Sequence, residues 1–138
     1  MLIAYDGTER ADRAFRTRDI RDAGAILALG SDWPIAPFDA RSILADAQLR
    51  RRAGHVDDAP ILPGQALTAR MALEGYTSHA ARAQGASDAG AIAVGCRADL
   101  TAFAVDPLRC LPDELADAPI VLTMVGGDVV HRADHVDA

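Results

Sequence analysis

Ala25-Ile26-Leu27-Ala28-Leu29 runs for five residues without a polar side chain, and Gly30-Ser31-Asp32-Trp33-Pro34 follows directly. The run is too short for an independent helix and too uniform for a strand with one wet face. It predicts a fully buried strand of a parallel sheet, apolar on both faces. Pro34 pushes Trp33 away from helical backbone, so the chain must leave this strand in a loop. Asp32 then stands at the strand's carboxyl end, and the fold class is α/β.

The chain's 138 residues suffice for one compact domain and its core. They fall short of the roughly 250 that a complete (β/α)8 barrel uses. Hydrophobic residues make up 50% and charged residues 25%, a soluble globular balance. Aromatics reach only 4%, so the core must be built from small and branched aliphatic side chains. A net charge of −6 leaves no basic stripe to displace counterions from phosphates, and no nucleic-acid partner is expected. The one basic run, Arg50-Arg51-Arg52, reads as the cationic last turn of a helix.

The sequence contains no lysine, which excludes P-loop, Schiff-base and protein-kinase chemistry within this chain. Cys96 and Cys110 form no C-x-x-C pair and suggest neither a zinc knuckle nor a disulfide framework. Residues Met1-Leu2-Ile3-Ala4-Tyr5-Asp6 carry neither a positive leader region nor a long apolar stretch. A reduced, cytoplasmic protein with no membrane span is the expectation.

Along the chain, Glu9 to Ala23 predicts an exposed helix or two short ones, closed by Gly24. Asp39 is a candidate N-cap for a helix through about Arg52, ended by Gly54. His55 to Gly64, with Asp57-Asp58, Pro60 and Pro63, predicts a loop. Ala69, Ala72, Leu73 and Tyr76 share one face of a helix from about Thr68 to Tyr76. Thr77 then caps a second short helix that stops at Gly85. From Gly90 the texture becomes strand-rich, with Ile92, Val94, Leu100, Phe103, Ile120 and Leu122 in short runs between turns. Val125-Gly126-Gly127-Asp128-Val129 predicts a tight hairpin.

Four segments, in this order, resemble the C-terminal part of the amidohydrolase superfamily, in particular its amidohydrolase-3 group. The first is Glu9-Arg10-Ala11, with the lead-in Arg21-Asp22-Ala23-Gly24-Ala25. The second is Leu29-Gly30-Ser31-Asp32-Trp33-Pro34-Ile35-Ala36-Pro37, similar to the family's G-S-D-x-P end of the eighth barrel strand. The third, Gly90 to Leu100, resembles G-x-I-x-x-G-x-x-A-D-L. The fourth is the hairpin Val125 to Val130.

The resemblance implies a fold: the last strand and helices of a (β/α)8 TIM barrel, followed by the C-terminal strands of a small composite β-domain. Residues 1–85 are then the end of the barrel domain and 86–138 the end of the β-domain. It also implies that Asp32 is both a metal ligand and a catalytic proton acceptor beside a metal-activated water. From the local sequence alone, Asp32 reads first as a turn residue before Pro34, and the other three segments reverse that reading for the parent enzyme. Gly30, Pro34, Gly90, Gly95 and Asp99 occupy signature positions with structural roles, Asp99 as a turn cap. In an intact enzyme the loop holding His55 would border the active-site mouth, which makes His55 a candidate substrate contact.

The family's other ligands are not found. The histidines His55, His79, His131 and His135 include no His-x-His pair, and there is no lysine to carboxylate. His131 and His135, four apart around Asp134, would face one another only if the tail were helical; a solvated terminus is the simpler reading. One acidic ligand cannot hold a catalytic zinc, which takes three or more protein ligands. The chain is therefore expected to start after the seventh barrel strand. It would contribute Asp32 to a metal-dependent hydrolase of C–N bonds other than peptide bonds, acting on a small amide-type substrate. The cofactor of that parent is a divalent metal, zinc by expectation, and none is expected to bind this chain alone. The isolated chain is expected to be inactive and to form a homodimer that covers the unpaired edges at Ile26, Leu27 and the terminal hairpin. The alternative is a non-catalytic regulatory or assembly module derived from the same fold.

Overall fold

The computed structural model describes residues 13–134. Its elements, in chain order, are α1 (Thr17–Asp22), α2 (Ala40–Leu49), a 3-10 turn (Pro63–Gln65), α3 (Ala69–Tyr76), α4 (Ser78–Ala83), β1 (Leu100–Phe103), α5 (Pro112–Asp117), β2 (Ile120–Val125) and β3 (Asp128–Arg132). Residues 1–12, with the Glu9-Arg10-Ala11 segment, and His135 lie outside the described residues.

Local chemistry explains where the helices start. Asp39 Oδ1 accepts the Arg41 amide at 3.0 Å and opens α2. Thr68 Oγ1 accepts the Met71 amide at 3.2 Å and opens α3. Pro112 stands at the first position of α5, where its missing amide costs nothing, and Asp113 and Glu114 follow in the positive first turn. Gly24, at φ +81°, closes α1, with the Ala25 amide reaching back to the Ile20 carbonyl at 3.2 Å. Thr77 departs from expectation. It makes no side-chain cap for α4; its hydroxyl donates back to the Leu73 carbonyl at 2.7 Å.

α2 also ends earlier than its sequence suggests. It stops at Leu49, because Arg50 takes left-handed backbone (φ +57°) and pairs with Ile61 in both directions, at 2.8 Å and 3.0 Å. The basic run is therefore not a cationic last turn. Arg51 swings into α5, where Nη1 and Nη2 hold the two oxygens of Asp113 at 3.1 and 2.7 Å. The Gly54 amide adds a bond to Asp113 Oδ1 at 2.8 Å. The result is a two-pronged strut between the end of α2 and the start of α5.

That strut has a pH signature. The Arg51 guanidinium, followed by the Gly54 amide, holds the Asp113 carboxyl below the usual carboxylate range. A depressed folded-state pKa gives stability that is present above the unfolded pKa and lost as pH falls through the folded one. Desolvation pushes Asp46 the other way, so its protonation offsets part of that loss. Asp113→Asn is expected to unfold at lower urea concentration than wild type at pH 7. Its decline between roughly pH 5 and 2 should also be shallower; parallel declines would show that the pair contributes nothing.

The core is small and centres on Leu44, Leu67, Ala72 and Leu115. It joins α2, α3 and α5, and takes Phe103 from β1 and Leu27 and Leu29 from the segment before Asp32. Residues on both sides of position 85 therefore share one core. No polar or charged residue among those described is fully buried.

The buried parallel strand expected at Ala25–Leu29 is not formed. These residues are extended chain outside any sheet, with Leu27 and Leu29 turned to the core and Ile26 and Ala28 exposed. The reason is pairing. An all-apolar strand needs neighbours on both edges and cover on both faces, and every strand the structure describes lies in one antiparallel sheet, ordered β1-β2-β3. The Leu29 amide instead donates to the Gly75 carbonyl at 3.0 Å.

The expected strand texture around Ile92 and Val94 also fails. Residues 86–99 are turns and irregular chain, and Ile92 is 91% exposed. Strands begin only at Leu100. The hairpin is formed as the glycines dictate: Gly126 (φ +59°) and Gly127 (φ +93°) link Val125 to its partner Asp128 in a two-residue turn. β3 is exposed along its whole length. Among the described residues, no helix is long and apolar enough to cross a membrane.

Candidate functional site

Asp32 sits in a compact turn immediately after the Ala25–Gly30 segment. Its backbone is left-handed (φ +50°), a conformation that few side chains other than Asn and Asp occupy readily. Two bonds close the turn, from the Ile35 amide to the Asp32 carbonyl at 2.8 Å and from the Ala36 amide to the Ser31 carbonyl at 3.1 Å. The Trp33–Pro34 peptide bond is cis. The Asp32 side chain is exposed, and no described residue pairs with its carboxylate. A fixed backbone thus presents an open carboxylate.

Apolar surface flanks it. Trp33 and Phe38 meet edge to face, with ring centroids 5.8 Å apart and planes at 84°, and both are exposed, as is Ile35. Beyond them Asp39 anchors the segment to α2. Its carboxylate takes Arg41 Nε and Nη2, while Arg41 Nη1 donates to the Ala118 carbonyl at 2.6 Å. The Arg41 guanidinium holds Asp39 below the usual carboxylate range. Asp39 is thereby committed to structure, and Asp32 is the uncommitted acid of this region.

The other sequence candidates are placed separately. His55 lies in the turn after α2, exposed, with Nδ1 3.9 Å from Asp58 Oδ2. Gly30 and Pro34 flank the Asp32 turn, and no atom crowds the Cα of Gly30. Gly90 is required twice over. Its φ is +77°, and a Cβ there would come within 2.7 Å of the Thr77 carbonyl oxygen and 2.8 Å of Ser78 Cα. Gly95 (φ +90°) has open space around it and needs only the conformation. Asp99 Oδ1 accepts the Gly126 amide at 2.7 Å, and the Ala98 carbonyl accepts that of Gly127 at 3.1 Å; together they pin the hairpin tip to the start of β1. His131 lies in β3 and not in a helix, with Nε2 3.0 Å from the Ile120 carbonyl oxygen; its companion in the sequence reading, His135, lies outside the described residues. Burial, then Glu114, raises the Cys110 thiol above its ordinary value.

Two residues of the region were not evident in the sequence. The Gly75 carbonyl receives the Leu29 amide, and its missing Cβ admits the Leu29 side chain; a Cβ would lie 2.8 Å from Leu29 Cγ. His79 Nδ1 receives the Leu27 amide at 3.3 Å. The available signal was a glycine inside an otherwise sound helix, which commonly marks close packing.

Asp32 is a suitable hard oxygen donor, but no group of three or more His, Cys, Asp or Glu side chains is gathered to hold a cation among the described residues. They do not make a complete metal centre.

The sequence model of the Amidohydrolase family matches residues 1–131. The chain belongs to the amidohydrolase family. It is 34% identical over 116 residues to the N-substituted formamide deformylase of Arthrobacter pascens, covering 83% of this chain and 21% of that protein. It is 29% identical over 127 residues to YtcJ of Bacillus subtilis (strain 168), which bears the name amidohydrolase, covering 91% of this chain and 24% of that protein. The chain thus spans between a fifth and a quarter of these relatives.

Proposed function

We propose that this chain is the acid-bearing C-terminal segment of a metal-dependent amidohydrolase that cleaves C–N bonds other than peptide bonds. In this reading its substrate is a small amide-type molecule, in line with the relative named for N-substituted formamides. The observation that carries the proposal is Asp32: an exposed carboxylate with no pairing partner among the described residues, held on a closed turn within a family segment. It would serve as one metal ligand and as proton acceptor, with the remaining ligands supplied from outside the described residues. A bound divalent cation, zinc in this reading, supplies Lewis acidity and lowers the pKa of its water. His55 is proposed at the mouth of that site. The compartment proposed is the cytoplasm.

The 138 residues alone are proposed to be inactive. The measurement is metal content by elemental analysis, together with hydrolysis of N-formyl and N-acyl amines by the purified chain. Neither stoichiometric zinc nor turnover is expected; finding both would show that the site is complete here.

The isolated chain is also proposed to dimerise. Ile92, Val129 and Val130 are exposed, and β3 is the outer strand of the sheet among the described residues, an edge that a second copy can extend. Sedimentation equilibrium should report a dimer, and a clean monomer at high concentration would refute the assignment.

A further inference from the structure

We propose that His79 is a positioning residue that sets the segment carrying Asp32, acting through its Nδ1 atom. The inference rests on the reading of Asp32 just given.

As extended chain outside any sheet, residues 25–30 present backbone amides with no ladder partner, and unpaired amides near a core are costly. In extended chain the amides of Leu27 and Leu29 point to the same side, about 6.6–6.8 Å apart. They face the α3–α4 corner, where Gly75 and His79 are four positions apart. The two acceptors differ for a physical reason. Gly75 lies in the last turn of α3, whose carbonyls have no partner within the helix, so its oxygen is available. His79 lies in the first turn of α4, where the backbone offers spare donors and no spare acceptors. Only a side-chain acceptor can meet the Leu27 amide there, and His79 Nδ1 does so at 3.3 Å. Accepting at Nδ1 puts the ring proton on Nε2.

The rail is thus a pair of bonds, one from a helix end and one from an imidazole. Leu29 is clamped through both its amide and its side chain, which occupies the space a Cβ on Gly75 would need. Three residues later stands Asp32, on a turn closed by its own two bonds. With both the rail and the turn fixed, the carboxylate has one backbone setting.

The test uses the 138-residue chain and nuclear magnetic resonance. Ring nitrogen shifts of His79 should report the Nε2–H tautomer, and the Leu27 amide should exchange slowly. His79→Asn places an amide oxygen where Nδ1 was, and should keep Leu27 exchange within about twofold of wild type. His79→Leu removes the acceptor, and should speed Leu27 exchange about 3- to 10-fold. It should also shift the Asp32 backbone resonances, which His79→Asn should restore. An Nδ1–H tautomer, or Leu27 exchange unchanged in His79→Leu, would overturn the proposal. Asp32 resonances that ignore both variants would reduce His79 to a structural residue and overturn it equally. None of these readouts depends on hydrolysis, so a failure of the amidohydrolase reading would appear separately, as a full-length protein whose turnover is indifferent to Asp32.

Discussion

Leu115→Ala is expected to destabilise the chain by about 3 kcal/mol, within the range of about 2–5 for a buried leucine truncated to alanine. Leu115 is 1% exposed and is the largest side chain buried to that degree among the described residues. It carries α5 onto α2, and only three other side chains, Leu44, Leu67 and Ala72, complete the buried cluster. Nothing of similar size can move in, because two of its flanks are pinned. Asp113, two residues earlier, is held by Arg51, and Ala118, three residues later, gives its carbonyl to Arg41. A site that cannot collapse keeps its cavity, and cavity volume sets the upper part of the range. Small domains hold a total of roughly 5–15 kcal/mol, so this single loss should shift the urea midpoint strongly. Leu111→Ala, at a position 73% exposed just before α5, is the control and should change stability by less than about 0.5 kcal/mol. Equal midpoints for the two variants, read by circular dichroism, would show that α5 does not anchor the core.

What could be read from the sequence divides by range. Asp39, Thr68 and Gly126-Gly127 announced their structures because a cap or a two-residue turn is decided by atoms within a few positions. The α5 helix was missed although its signal was local, Pro112 followed by two acids; the apolar texture around it argued for strands. The segment Ala25–Leu29 failed for the opposite reason. Its composition predicts cover on two faces, but whether a strand forms depends on neighbouring strands, and the described residues contribute none beside it. Ile92 and Val94 follow the same logic, exposed where a sheet partner would have covered them. The arginine run shows tertiary chemistry displacing a local rule: a two-pronged, half-buried pairing with Asp113 draws Arg51 away from a helix-dipole contribution of only about 0.3–1 kcal/mol. For the candidate site, the order of four segments singles out Asp32, and its own local sequence does not. The His79–Leu27 bond spans 52 positions and leaves no local trace.

In the parent-length protein that the proposed function invokes, Asp32→Asn is expected to lower kcat by about 10²–10⁴-fold, the usual contribution of a positioned general base. Asparagine keeps the size of the side chain and the tolerance for left-handed backbone at φ +50°, so the turn from Ser31 to Ala36 should survive. It removes the negative charge and the ability to accept a proton. The two losses separate by measurement. If Asp32 serves only as a ligand, metal content falls and excess metal restores most of the rate. If it also accepts the proton, the rate stays low at saturating metal, and this is the expected result. Asp39→Asn supplies the contrast, because that carboxylate is engaged by Arg41 and caps α2. It should cost stability, read in the urea midpoint, and leave kcat within a few-fold of wild type. A parent enzyme in which Asp32→Asn retains full turnover would remove Asp32 from the chemistry and leave the carboxylate as a turn residue before Pro34.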